Sequence, residues 1–141
     1  MKCVFREPII EKRILINKEA FISNIKKKHS VDLSHLTDEC QEHEKKVKKP
    51  VVFTETAVAE VINAYDKTLV EGFNVSEMRK LYELLYDSSE RNAKYISWQS
   101  IKLIEAILVK LSLSVDNIDI ASVMSPLYIL HDYRILLDLS L

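Results

Sequence analysis

A chain of 141 residues with a single glycine, Gly72, and three prolines has few means of making tight reversals. Turns between strands draw on glycine for backbone conformations that other residues resist, so a small sheet-rich domain is hard to build from this sequence. Helices joined by short loops need far fewer such positions. The sequence therefore points to an all-α fold, a bundle of about five to seven helices with a short extended or β-like N-terminal arm. The length suits one domain that buries its own core without cross-links.

Helical spacing is clearest from residue 54 onward. Thr54 is placed to cap a helix, Glu55 falls in its first turn, and Val58, Val61, Ile62, Tyr65 and Leu69 share one face. Gly72 stands where a left-handed residue would close that helix. Ser76 is the expected cap of the next, with Met78, Leu81, Tyr82 and Leu85 on its inner face. A longer helix is expected over about 94–112, its stripe of Ile101, Ile104, Leu108 and Leu111 widened by Trp98, Leu103 and Ile107. Asp116 or Asn117 then starts a short helix to Met124. Ser125-Pro126 interrupts it and caps the closing helix.

The first part reads differently. Residues 2–16, KCVFREPIIEKRILI, are rich in β-branched residues around Pro8 and read as the extended arm. Asn17 would cap a helix running to His29, with Phe21, Ile22 and Ile25 on one side. Ser34 or Thr37 would start a polar helix with little apolar surface, ended by Pro50. The organisation is thus an arm with polar helices or a linker over 1–50, and the helical bundle over 51–141.

Residues 1–50 hold 12 Lys and Arg against 8 Asp and Glu, while residues 51–141 hold 8 against 13. The whole chain is near neutral at −1, so no global field points to nucleic acid. Lys26–Lys28 and Lys45–Lys49 offer a weak phosphate-binding alternative, but acids interleave and no aromatic residue stands among them to stack on bases. Two cysteines, Cys3 and Cys40, make no disulfide framework, and a reduced cytoplasmic setting is expected. No apolar run is long enough for a membrane span.

Few residues form a pattern that could carry chemistry. His35, Glu39 and His43 recur every fourth position with Cys40 nearby, and all four are metal-ligand types. Along a helix the first and last stand ~12 Å apart, beyond one ion's reach. No metal or other cofactor is expected. One glycine cannot make a phosphate loop.

The ending is the most distinctive stretch. In SPLYILHDYRILLDLSL, residues 125–141, Leu127, Leu130, Arg134, Leu137 and Leu141 form one stripe, while Ile129, Tyr133 and Leu136 point elsewhere. A helix apolar on most sides belongs inside a bundle or against a partner. No polar cap follows it. This implies either a longer protein or an assembly, with Leu127, Leu130, Tyr133, Leu137 and Leu141 as partner-binding residues.

PLYILHDYRILLDLSL also resembles the closing helix of HEPN-type helical domains, found in bacterial defence and toxin proteins. The resemblance implies metal-independent RNA cleavage, with Arg134 on the phosphate and His131 on the proton. In that family's motif the His follows the Arg, whereas here the matching positions are Leu139, Ser140 and Leu141. His131 and Arg134 otherwise read as a partly buried polar pair with Asp132 or Asp138 beside them. The expectation is a non-catalytic helical protein-interaction module, with a protein partner or a homo-oligomer. The alternative is a HEPN-type ribonuclease or toxin.

Overall fold

The computed structural model describes residues 10–35, 38–47, 54–113 and 118–140, with residues 38–40 and 137–140 described by backbone alone. Six α-helices follow in order: α1 Ile10–His29, α2 Asp38–Lys45, α3 Glu55–Leu69, α4 Val75–Leu85, α5 Ser100–Ser112 and α6 Ile120–Ser140. A 3₁₀ turn, Tyr95–Ser97, precedes α5. Helix α3 packs between α2 and α6, and α5 between α4 and α6. No described helix is long and apolar enough to cross a membrane.

An apolar core joins the end of α1 and the segment after it to α4 and α5. Ile25, Val31 and Leu33 pack with Phe73, Met78, Leu81, Tyr82, Leu103 and Ile107. In α5 the most deeply buried positions are Leu103 and Ile107, while Ile101, Ile104, Leu108 and Leu111 are half-buried. Tyr82 centres an aromatic group: its ring stacks on Tyr86 at 4.5 Å and meets Trp98 edge-on at 5.6 Å. Its hydroxyl accepts the Asn92 amide at 3.1 Å. The chain after α1 lies against the α3–α4 connection through a bridge between Ser34 and Phe73. This pairing brings His35 beside the start of α4.

Several local expectations are corrected. The stretch read as an extended arm is helical from Ile10, and Asn17 lies inside α1; the part before residue 10 falls outside the described residues. The β-branched residues mislead here because helical spacing already starts at Ile14 and continues through Lys18, Phe21 and Ile25. Lys18 fills a core-facing position with its methylene stem and sends its ammonium to Glu44 at 3.0 Å. Asn74, not Ser76, caps α4, its Oδ1 accepting the Glu77 amide at 3.3 Å. The helix expected over 94–112 breaks at Trp98 and Gln99, both extended. Arg79 donates to the Trp98 carbonyl at 3.1 Å, which holds the break in place.

Helix α6 is continuous through Pro126. A proline inside a helix removes the bond to the carbonyl four residues back and costs about 3 kcal/mol. Here Ser122 and Pro126 are both exposed, so water can reach this turn and take the place of the missing donor. Asp119 anchors the helix start through Ala121 and Ser122. The expected starts at Asp116 or Asn117 lie outside the described residues.

Gly72 is not left-handed; that conformation occurs at Ser30, with φ 57° just after α1. Close approach explains the glycine instead. A Cβ at position 72 would sit 2.3 Å from the Thr68 carbonyl and 2.9 Å from that of Lys67. Backbone cannot swing aside as a side chain can. Gly72→Ala is therefore expected to destabilise the fold by about 1–3 kcal/mol in urea unfolding. A change under about 0.5 kcal/mol, the usual range for a neutral surface substitution, would contradict this.

Candidate functional site

The expected apolar stripe of α3 is only half-buried, and its most deeply buried residues are Ala64, Asp66 and Thr68. The cause is the helix's position between two others. Small side chains at Ala64 and Thr68 let a neighbour come close, so burial follows side-chain size as well as apolarity.

Asp66 is fully buried, and a lone buried carboxylate would be costly. Helix α6 supplies its partners. His131 and Arg134 stand three residues apart on the inner face of α6. His131 Nδ1 lies 3.0 Å from one Asp66 oxygen, and Arg134 Nη1 donates to the other at 3.3 Å. Arg134 Nη1 also donates to Glu71 at 2.5 Å, and Lys67 Nζ donates to Glu71 at 2.6 Å. Burial alone would raise the Glu71 carboxyl. The hydrogen bonds and charges of Lys67 and Arg134 outweigh it and hold that group below the usual carboxylate range. The pair read as partnered by neighbours on its own helix is thus held by α3 and the turn after it. Asp132 is exposed, and the side chain of Asp138 lies outside the described residues.

Tyr128 adds a second tie, its hydroxyl donating to Glu105 on α5. Burial first, then the Glu105 carboxylate, pushes this phenol up to about 12. Together these bonds fix the rotation of α6 about its axis.

The chemistry this network permits is limited. Ligand-type atoms of Asp66, Glu71 and His131 lie within 4.8 Å of one another, a spacing that suits a cation. The Arg134 guanidinium, bonded to both carboxylates, already occupies that electrostatic role. A phosphate would have to displace a buried carboxylate to use the same nitrogen. Of the earlier ligand-type set, His35 borders a cleft at the α3–α4 connection, His43 is half-buried on α2 and the Glu39 side chain lies outside the described residues.

Fixing α6 this way decides what it shows to water. Leu127 turns inward and walls an apolar cavity of about 330 Å³ with Phe21, Phe73 and Ile107. Leu130 is half-buried. Tyr133 is 56% exposed, and beside it Ile129 is 54% and Leu136 62% exposed. Leu141 and the side chain of Leu137 lie outside the described residues. Pro126, Ile129, Tyr133 and Leu136 follow one another at steps of three, four and three, so they form a single row on the outward side of the helix.

Comparison with protein-family models, with curated proteins and with solved structures returns no match for this chain.

Proposed function

We propose that this protein is a non-catalytic assembly module that pairs with a second copy of itself through the outward face of α6. The observation that carries the reading is the exposed row of Pro126, Ile129, Tyr133 and Leu136 on a helix whose rotation is fixed by buried ion pairs. The spacing of the row is that of a helix–helix seam.

The absence of charge along the row favours a second copy as the occupant. Between Ala121 and Leu136 the only exposed charged residue is Asp132. A strongly basic or acidic partner would find almost nothing to pair with. A charge-free apolar strip is complementary to itself, as the two-fold pairing of identical chains requires. The RNA-cleaving alternative gains nothing comparable, because Arg134 is held between two carboxylates. In a reduced cytoplasmic setting Cys3 and Cys40 stay free of disulfides, so the pairing is non-covalent.

Sedimentation velocity over a range of concentrations tests the reading. A reversible dimer is expected. The double variant Ile129→Glu, Leu136→Glu is expected to weaken it by about 100-fold or more while leaving the helical circular dichroism unchanged, since both side chains face water in the single chain. A wild type that stays monomeric at the highest concentrations would overturn self-pairing.

A further inference from the structure

The apolar stripes of four helices converge on a space that their side chains do not fill. Phe21 of α1, Leu69 of α3, Ile104 and Leu108 of α5 and Leu127 of α6 all face inward, yet each is only half-buried. Their half-burial has a common cause: they share the wall of the cavity of about 330 Å³. Phe73 and Ile107, both buried, complete that wall.

Protein interiors are close-packed and rarely keep voids larger than a water molecule. A space of this size falls instead within the range of ligand pockets, ~300–1,000 Å³. Water is a poor occupant, because a buried water needs about two to four polar partners. Among the described residues only Asn17 and Lys18 give the wall any polar character. Asn17 is the one exposed residue of the lining and so marks the mouth. The Lys18 ammonium is bonded to Glu44 at 3.0 Å and lies 5.3 Å from the centre of the Phe73 ring, so its charge is already matched. A carboxylate in the cavity would add an unmatched negative charge to this pair, and an ammonium an unmatched positive one. Either would be costly against an apolar wall.

We infer that this cavity binds a small neutral molecule with a mainly hydrocarbon body and one polar end, the body among the leucines and the polar end at the mouth beside Asn17. Entry of the body removes from water both its own surface and the half-buried faces of the wall. The wall is drawn from α1, α3, α5 and α6, so an occupant ties these helices together and raises the melting temperature. Leu127 faces inward, away from the outward row of α6, and the site does not depend on the pairing of two chains.

The test is an NMR titration of the full chain, ¹³C-labelled at its methyl groups, with 1-octanol. Saturable shifts are expected at the methyls of Leu69, Ile104, Leu108 and Leu127. Octanoate and octylammonium have the same chain with a charged end, and each is expected to bind more weakly by about tenfold or more. Leu108→Phe fills the space, and is expected to weaken 1-octanol by about tenfold or more while keeping the helical circular dichroism. Ile104→Phe fills it from the preceding turn and gives the same comparison. Binding is expected to persist in the Ile129→Glu, Leu136→Glu variant, which keeps this site distinct from the pairing of two chains. No saturable shift at the cavity methyls, or shifts only along the outward row of α6, would overturn the proposal. Equal binding of octanoate or octylammonium would overturn the neutral ligand class. Undiminished 1-octanol binding in both phenylalanine variants would overturn the location.

Discussion

Arg134→Ala is expected to lower the stability of the fold by about 3–5 kcal/mol in urea unfolding, the range for removing one partner of a buried ion pair. Asp66 is fully buried, and its carboxylate accepts from Arg134 at 3.3 Å. Without the guanidinium, among the described residues Asp66 keeps only His131, and Glu71 keeps only Lys67. The loss is larger than the net worth of the ion pairs because it leaves a charge in the interior. The double variant Asp66→Leu, Arg134→Met removes both charges and is expected to recover most of the loss. A single Arg134→Ala change below about 1 kcal/mol would place the network in the weak class of surface ion pairs and contradict this account. The acid limb carries a related signature. The Glu71 carboxyl is held below its ordinary value, so its contribution is complete above the ordinary carboxylate range. It is lost as pH falls through the lowered value.

Tyr82→Ala is expected to cost about 3–5 kcal/mol, comparable with removal of other large buried rings. Tyr82 is almost wholly buried and contacts the rings of Tyr86, Tyr95 and Trp98. Its loss would leave a cavity between α4 and the turn before α5, and would free the Asn92 amide. Because Trp98 lies against it, the variant should also shift the tryptophan emission maximum. Tyr82→Phe keeps the ring and gives up the hydrogen bond, so it is expected to cost about 1 kcal/mol. Equal effects of the two variants would mean that the hydroxyl, not the ring, anchors the group.

The parts of the fold set by local chemistry were legible in the sequence. Thr54 caps α3, and its Oγ1 accepts the Ala57 amide at 3.2 Å. Met78, Leu81 and Tyr82 are the buried face of α4, as their spacing implies. Expectations failed where distant contacts override local preference. Lys18 looks like a surface residue until Glu44 and the Phe73 ring are placed around it. Pro126 looks like a helix start until the packing on both sides of it is known. Gly72 was correctly singled out, but the reason lies in carbonyls of the preceding turn rather than in a left-handed backbone.

The candidate site shows the same division. His131 and Arg134 stood out as polar residues in an apolar helix, and their spacing placed them on one face. Their partners are 63 to 68 positions away in sequence, and no local pattern pairs them. A charged residue inside the apolar pattern of α3 was the available signal for Asp66. Two helices that each carry one opposite charge in an apolar setting are candidates to meet. Tyr133 belongs to the outward row, but Ile129 and Leu136 do so more than Leu127, which the ion network turns inward.

Cross-linking through single cysteines tests the pairing of two chains through α6 most directly. With Cys3 and Cys40 replaced by serine, Ile129→Cys is compared with Leu84→Cys, which is similarly exposed on α4 at 62%. The account predicts a covalent dimer forming rapidly through position 129 under mild oxidation, and almost none through position 84. Equal, slow cross-linking at both positions would show that the outward face of α6 meets no second copy and would contradict the account.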